Sequence, residues 1–283
     1  MKKSRSPSPG REGEFTLHRE GATSSFDVTC PQERIRIENG AARVNAAGMY
    51  YRDLNALLRN LNGNGVRKIE LLNVCGQKYI GTGLEGKIEI DVYGTPGNDL
   101  GAFMRGTSVV VHGNAQDCCG NTMDGGEIII HGHAGDVVGY SMRGGRIFIR
   151  DDAGYRLGIH MKEYREKKPV IVVGGTAQDF LGEYMAGGVL VVLGLTLMDG
   201  ERHEMKFVGT GMHGGKMYIR GKVGHLEGDV EVADFEDNDR RLLHSILSEF
   251  CNYFDFDISE VMSHEFSKLI PVSYRPYGRL YSK

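Results

Sequence analysis

The sequence has no tryptophan, no CxxC pair of cysteines and no long apolar run. A membrane-spanning helix needs about 20 apolar residues, so we predict a protein without a membrane span. The N-terminal segment MKKSRSPSPGREGE has two lysines but no apolar stretch, and it therefore lacks the pattern of a secretory signal. Five cysteines without metal-type spacing are typical of reduced thiols, and we expect a cytoplasmic protein.

Neither sign of charge dominates the chain. It has 34 lysines and arginines against 37 aspartates and glutamates, for a net charge of −3. This balance predicts no binding to nucleic acid or to a membrane surface. Glycine is the residue in excess, with 41 among 283 positions, which is roughly twice its usual share of about 7%. A glycine excess without a collagen period indicates many tight turns between short strands.

A block of about ten residues recurs along the middle of the chain with a period of 19 residues. It reads GNDLGAFMRG from Gly97, QDCCGNTMDG from Gln116 and GDVVGYSMRG from Gly135. A fourth copy keeps the period, and the last two copies follow insertions of five and eight residues. With one copy earlier in the chain, seven copies share the core G-x-x-M or G-x-x-L, at Gly81/Leu84, Gly101/Met104, Gly120/Met123, Gly139/Met142, Gly158/Met161, Gly182/Met185 and Gly209/Met212.

A short strand follows each block, and its two alternate positions are apolar in every copy. Residues two apart on a strand share a face, so we predict that both point inward. One turn cannot bury such a face, whereas stacked turns bury it continuously. The first inward column is Ile90, Val109, Ile128, Ile147, Ile171, Leu190 and Met217, and the second is Val92, Val111, Ile130, Ile149, Val173, Val192 and Ile219.

This periodicity predicts an all-β fold: a single-stranded right-handed parallel β-helix of about seven turns, with flanking α-helices. We expect the methionines of the repeated core to fill the corners of the coil. The predicted organisation is a disordered tail at 1–14, an N-terminal cap with one helix at 15–77, the β-helix at 78–224, and a helical and extended C-terminal part at 225–283.

Apolar residues at helical spacing predict three helices outside the coil. The first covers 48–61, and we expect it to cap one end of the coil. The second is marked by the apolar residues of 242–254. The third is predicted to begin at Asp257 with the spacing of a capping box and to continue through Phe266 and Leu269.

The residue between the two inward positions should face outward, yet it is apolar in six of the seven strands. A strand that is apolar on both faces is covered on both, either by the terminal helices of this chain or by a partner. The segment 271–283, rich in Tyr and Arg, leaves the same two possibilities open, a strap over its own domain or a contact with a partner. The outward column is Asp91, Val110, Ile129, Phe148, Val172, Val191 and Tyr218.

Two glycine-rich segments, 81–86 and 209–214, match the G-x-G-x-x-G pattern of dinucleotide-binding loops. That pattern binds a pyrophosphate where a helix opens on it, but a predicted strand follows both segments here. Both segments also fall on corners of the repeat. We therefore interpret them as turns.

Several polar positions could hold a metal ion or could simply lie at strand ends and turns. His112 and His131 lie one turn apart, with His133 nearby, and together they could hold a metal ion. In other turns the column of His112 and His131 contains arginines. The arginines favour an exposed polar ladder over a metal site. The adjacent Cys118 and Cys119 point to opposite faces and cannot readily share a metal ion. A mostly acidic column before the corners is interpreted as turn-forming side chains, at Asn98, Asp117, Asp136 and Asp179.

No Ser/His/Asp or Cys/His arrangement stands out, so we predict no catalytic, cofactor-binding or metal-binding residue in this chain. Two charged insertions, at 162–168 and 195–206, interrupt the coil. Loops that break a solenoid commonly carry its contacts.

Several long phrases of the sequence resemble the GXGXG β-helix domain of glutamate synthase. They are GNAQDCCGNTMDGGEIIIHGHAGDVVGYSMRGGRIFIR, GIHMKEY, DFLGEYMAGG and GTGMHGG. The similarity covers roughly residues 40–283 and is nearest to the form in which this domain is a separate polypeptide. Related β-helices occur in the C subunit of formylmethanofuran dehydrogenase and in a subunit of N-methylglutamate synthase.

The resemblance implies a part in the conversion of 2-oxoglutarate to glutamate with ammonia from glutamine. In that family the nucleophile, the FMN site and the iron–sulfur ligands lie on other domains, which the β-helix joins and positions. The resemblance implies that this chain binds no cofactor. Its expected partners are an FMN-binding glutamate synthase subunit and a glutamine amidotransferase subunit, and the FMN and the iron–sulfur clusters are expected on these partners.

The sequence departs from the whole enzyme in lacking an N-terminal cysteine nucleophile and a cysteine cluster, so this chain alone should not make glutamate. Two alternatives stay open. One is a subunit of N-methylglutamate synthase. The other is a free-standing homo-oligomer that binds a small ligand on the outer flank of its coil.

Overall fold

The computed structural model describes residues 14–15, 30–31, 34–198, 201–224, 226 and 228–273. Within them the chain forms fourteen strands and three helices, and twelve of the strands belong to one sheet. The strands are β1 Glu14–Phe15, β2 Cys30–Pro31, β3 Ile35–Glu38, β4 Ala41–Asn45, β5 Lys68–Cys75, β6 Glu89–Thr95, β7 Ser108–Val111, β8 Asp124–Ile130, β9 Gly144–Ile149, β10 Val170–Val173, β11 Ala186–Val192, β12 Gly214–Arg220, β13 Val230–Ala233 and β14 Phe266–Pro271. The helices are α1 Tyr51–Gly63, α2 Asp237–Phe254 and α3 Ile258–Met262.

Consecutive strands from β4 to β12 pair in parallel, each with the next along the chain. The register aligns Ile90 with Val109 and Val109 with Ile128, as the columns of the repeat predict. The predicted parallel β-helix is confirmed, with about six turns in place of the seven expected. Seven corner blocks enclose only six complete turns between them, which accounts for the difference.

The two inward columns form the core of the coil. All fourteen of their residues are buried, and none is more than 1% exposed. Burying one Val, Ile or Leu side chain contributes about 1.5–3 kcal/mol. Each turn adds two such residues to a continuous apolar core that runs along the rod.

Helix α1 joins the N-terminal end of this core. Its apolar face is buried, and two asparagines tie it to the first turn of the coil. The Asn55 side-chain amide donates to the Lys78 carbonyl at 2.8 Å, and that of Asn62 donates to the Glu85 carbonyl at 3.1 Å. The predicted helix at 48–61 is therefore present, displaced by two to three residues.

Helix α2 covers the outer flank of the coil, so this chain supplies its own cover there. Phe148, Val172, Val191 and Tyr218 are completely buried in a second apolar cluster with residues of α2. The cover is incomplete toward the first turns, where Val110 packs against the edge of this cluster and remains partly exposed.

The third predicted helix is wrong beyond its first turn. Helix α3 begins as expected after Asp257, whose carboxylate accepts the Ser259 N–H at 2.7 Å. The chain then leaves the helix, and Phe266 and Leu269 lie in strand β14, antiparallel to both β12 and β13. Strand β12 ends the parallel stack, and β14 satisfies the backbone groups along its otherwise open edge. The expected tail at 1–14, apart from its last residue, and residues 274–283 of the closing segment lie outside the described residues.

Candidate interaction surface

The seven G-x-x-[ML] blocks form the corners of the coil. In each, the N–H of the fourth residue donates to the carbonyl of the glycine, with N···O distances of 2.9–3.3 Å, and closes a β-turn. The side chains of Leu84, Met104, Met123, Met142, Met161, Met185 and Met212 are at most 3% exposed. A third buried column, which was not predicted although it is apolar in every copy, lies immediately before the glycines: Ile80, Leu100, Cys119, Val138, Leu157, Leu181 and Val208.

Glycine is required at the first position of these corners for two reasons. The corner glycines all have φ between 65° and 76°, a conformation that costs other residues free energy. Their α-carbons also face the interior. A Cβ added at Gly101 would lie 2.8 Å from Ile128 Cδ1, and one at Gly158 would lie 2.8 Å from Leu190 Cδ1.

The second residue after each corner glycine is also left-handed, but its side chain faces outward. A left-handed conformation costs a non-glycine residue about 1–2 kcal/mol. The first and last corners have glycine in this position, and the five corners between them have a side chain. The column reads Gly83, Phe103, Thr122, Ser141, His160, Tyr184 and Gly211.

Exposed or partly exposed aromatic side chains stack from turn to turn on this outer side of the corners. The rings of Tyr140 and His160 meet edge to face with centroids 5.9 Å apart, and His160 stacks on Tyr184 at 5.2 Å. On the other side of the glycines, Phe180 stacks on Phe207 at 4.8 Å. We call these five residues the corner ladder.

The acidic column before the corners binds the backbone of the next turn. Asp117 Oδ1 accepts the N–H of Asp136 at 3.0 Å, and Asp136 Oδ1 accepts the N–H of Tyr155 at 2.9 Å. Asp179 Oδ1 accepts the N–H of Lys206 at 2.8 Å. These carboxylates therefore hold successive turns together.

Basic side chains near the corner ladder have fewer partners than the acidic ones. Glu183 is paired with Arg156 at 3.2 Å. By contrast, no ion pair forms at Arg143, Lys162 or Lys206 within the part of the chain that the structure describes. Three basic side chains beside the ladder therefore lack an ion pair within the described residues.

The predicted histidine column is a stack that ends against α2. Tyr93 and His112 stack with centroids 4.4 Å apart, and His112 stacks on His131 at 5.5 Å. His112 Nε2 lies 2.9 Å from Asp91 Oδ1, and the rings of His131 and Phe254 are nearly perpendicular with centroids 5.1 Å apart. Burial, and secondarily the neighbouring His112, lowers the pKa of His131, so its ring is neutral near pH 7.

The remaining metal candidates lie apart from this stack. His133 Nδ1 accepts the Asp152 N–H at 3.2 Å. Cys119 is completely buried, and burial raises the pKa of its thiol; the pKa of Cys118, which is partly exposed, is raised for the same reason. Among the described residues, no group of three or more His, Cys, Asp and Glu lies close enough to hold a metal ion.

Both insertions fold back onto the coil. In the first, the Lys167 ammonium donates to Asp124 at 2.6 Å. In the second, whose residues 199–200 lie outside the described part, His203 is buried and its Nε2 lies 3.1 Å from the Arg220 carbonyl. His203 lies in a charged loop and has no sequence pattern that would have predicted its burial. Its burial lowers its pKa and favours the neutral ring.

A comparison with protein families matches most of the chain to one family. A family model described as the GXGXG motif matches residues 60–274. The chain belongs to the GXGXG family, that of glutamate synthase domain 3. A relative from Methanocaldococcus jannaschii, uncharacterized protein MJ1350, is 45% identical over 249 residues, which are 84% of this chain and 95% of the relative.

In this GXGXG protein the family match includes all seven corners, helix α2 and strand β14. The covered outer flank thus lies inside the family region. The two G-x-G-x-x-G segments are the first and last corners, and they lead into strands β6 and β12. No helix within the described residues is both long and apolar enough to cross a membrane.

Proposed function

We propose that this chain is a non-catalytic structural subunit of a glutamate synthase-type complex. Such a complex releases ammonia from glutamine and uses it to convert 2-oxoglutarate to glutamate. The observation that carries the proposal is membership of the GXGXG family over residues 60–274. In this proposal the partners are an FMN-binding subunit and a glutamine amidotransferase subunit, which hold the FMN and the iron–sulfur clusters.

The contacts of the polar side chains support a scaffold role. The carboxylates of the acidic column bind backbone N–H groups of adjacent turns. The buried carboxylate of Asp239 accepts hydrogen bonds from Lys216, Tyr218 and Lys268, and so fastens α2 to the sheet. These groups contribute to the rigidity of the coil, which is what a subunit that positions others requires.

The shape of the coil also suits a joining subunit. In a solenoid each turn contacts only its neighbours, so long surfaces stay available for more than one partner. Successive turns are about 4.8 Å apart, which places repeated side chains at fixed intervals along the rod. We place the complex in the cytoplasm, where thiols such as those of Cys75 and Cys118 stay reduced.

Purification of the tagged chain from its native cells tests the proposal. We expect the eluate to contain a flavoprotein, identified by its absorbance, and a glutaminase activity. The eluate should form glutamate from glutamine and 2-oxoglutarate once an electron donor is supplied, and the tag alone should recover none of these activities.

The outcome against the proposal is a single chain that elutes without flavin and without glutaminase activity. Formation of N-methylglutamate from methylamine and glutamate, with no glutamate formed from 2-oxoglutarate, would move the chain to the N-methylglutamate synthase alternative.

A further inference from the structure

We propose that the corner ladder, Tyr140, His160, Tyr184, Phe180 and Phe207, is the surface on which an acidic protein partner docks. The inference rests on the proposed function, because it names the surface that a partner subunit of the complex would use. Three observations carry it: aromatic side chains held where the fold does not need them, a rigid backbone beneath them, and unpaired positive charge beside them.

The backbone of the corners does not require the large side chains of His160 and Tyr184. His160 and Tyr184 occupy the left-handed position that glycine fills at Gly83, where an added Cβ would meet nothing within 4 Å. The backbone there accepts glycine, so the chain folds its first corner without a side chain at this position. The left-handed conformation of His160 and Tyr184 costs a non-glycine residue free energy, and Tyr184 remains 46% exposed.

The backbone under the ladder is fixed by hydrogen bonds between turns. The N–H of Ser141 donates to the Ile159 carbonyl at 2.9 Å, and the N–H of His160 donates to the Glu183 carbonyl at 3.0 Å. Aromatic rings on such a frame have few torsions to lose, so a partner binds them at a low cost in conformational entropy. Exposed, stacked aromatic side chains are typical of the residues that dominate protein interfaces.

The charges beside the ladder select the partner. Glu183 is already paired with Arg156, whereas Arg143, Lys162 and Lys206 form no ion pair in the described ranges. A partner that offers carboxylates around an apolar centre complements this surface.

The same charges argue against a second copy of this chain as the occupant. A two-fold contact would bring the same three unpaired basic side chains from both subunits into one interface. The partner cannot dock on the outer flank over most of the coil, because α2 already covers that flank. The corner ladder is therefore an aromatic surface that remains open to an acidic partner subunit.

The test measures binding and stability on the same variants. The double variant His160→Gly/Tyr184→Gly removes two ladder side chains. It replaces them with glycine, the residue that occupies the equivalent position at Gly83. Thr122→Gly makes the same change in the same column outside the ladder and is the matched control. Titration calorimetry with the purified FMN-binding subunit and with the purified amidotransferase subunit gives the dissociation constants, and urea unfolding gives the midpoints.

We expect the double variant to bind one of the two subunits at least about 30-fold more weakly, the factor that corresponds to an interface hot spot. The unfolding midpoint should change little, because relief of backbone strain offsets the lost stacking. Thr122→Gly should bind like the wild type. A second variant, Arg143→Glu/Lys162→Glu, changes only exposed charges; it should also weaken binding, and the affinity of the wild type should fall with added salt.

The outcomes separate the two proposals. If the wild type binds neither subunit, the proposed function and the docking surface both fail. If it binds a subunit and the ladder and charge variants bind as tightly, the complex stands and the docking surface is wrong. A wild type that self-associates in sedimentation velocity, and a ladder variant that does not, would make a second copy the occupant and overturn the proposal of an acidic partner.

Discussion

The outer flank of the coil and the corner ladder both direct apolar side chains outward, but only the flank is covered. Phe148, Val172 and Tyr218 are completely buried under α2, whereas Tyr184 on the corner is 46% exposed. An 18-residue helix of the chain thus covers the outer flank, whereas no segment within the described residues covers the corner ladder. The covered surface belongs to the fold, and the bare one is where contacts with other molecules are expected. Four pairs of substitutions test whether this distinction is correct.

The largest expected effect is at the centre of the cover. Phe250 is completely buried on α2, 4.9 Å from the ring of Phe254 and against Gly174 at the end of strand β10. Phe250→Ala should lower the free energy of unfolding by about 3–5 kcal/mol, measured by urea denaturation. Ser245→Ala on the exposed face of α2 should change it by less than about 0.5 kcal/mol. A similar, small loss for both variants would mean that the helix is not a firm cover.

The next effect concerns the charged contact that fastens α2 to the sheet. Asp239 is 1% exposed, and its carboxylate accepts hydrogen bonds from Lys268 at 2.7 Å and Tyr218 at 2.6 Å. Asp239→Asn leaves the buried Lys268 ammonium without its counter-ion, so we expect a loss of about 3 kcal/mol at pH 7. Glu231→Gln, on an exposed side chain of β13, is the control and should cost less than about 0.5 kcal/mol.

The same carboxylate predicts a dependence of stability on pH. Burial alone would raise the pKa of Asp239, but the hydrogen bonds from Lys268 and Tyr218, with that from the Glu236 N–H, hold it well below its usual range. A lowered pKa adds stability above the unfolded value of about 4, and this stability is lost as the pH falls below that value. The wild type should therefore lose more stability than Asp239→Asn between about pH 4 and pH 2. Parallel curves for the two proteins would contradict this assignment.

A third comparison lies within a single corner. Met142 faces inward and is completely buried, whereas Tyr140 in the same turn is 38% exposed. Met142→Ala should cost about 2–5 kcal/mol, and Tyr140→Ala should cost about 1 kcal/mol through its lost contact with His160. The two free energies of unfolding are measured side by side. A larger loss for Tyr140→Ala would reverse the assignment of the inner and outer sides of the corner.

The sequence predicted the interior of the coil because its signal is repeated. Ile128 and Ile130 were assigned from a spacing of two and from a period of 19 that brings them back in every turn. The left-handed backbone at Tyr184 could not be predicted, because its column contains Phe, Thr, Ser and His, which give no such signal. Only Gly83 and Gly211 hinted at it, and both were assessed as parts of a nucleotide motif.

The misassigned third helix had a different cause. Phe266 and Leu269 continue a helical spacing, so the local pattern favoured a helix. Strand β14 forms because β12, far away in the sequence, offers an unpaired edge at the end of the stack. The cover by α2 was left open for a similar reason. An apolar outward column shows that something must cover the strands, but not which segment does so.

The smallest expected effect compares one column position under the cover with the same position outside it. Val172 is completely buried under α2, whereas Val110 is partly exposed. Val172→Thr should cost about 1–3 kcal/mol, because it buries a hydroxyl in an apolar cluster. Val110→Thr keeps the β-branched shape at a position that water reaches, so its free energy of unfolding should change by less than about 0.5 kcal/mol. Equal losses would show that the flank is covered over its whole length in solution. The corner ladder would then be the only one of the two surfaces with exposed apolar side chains.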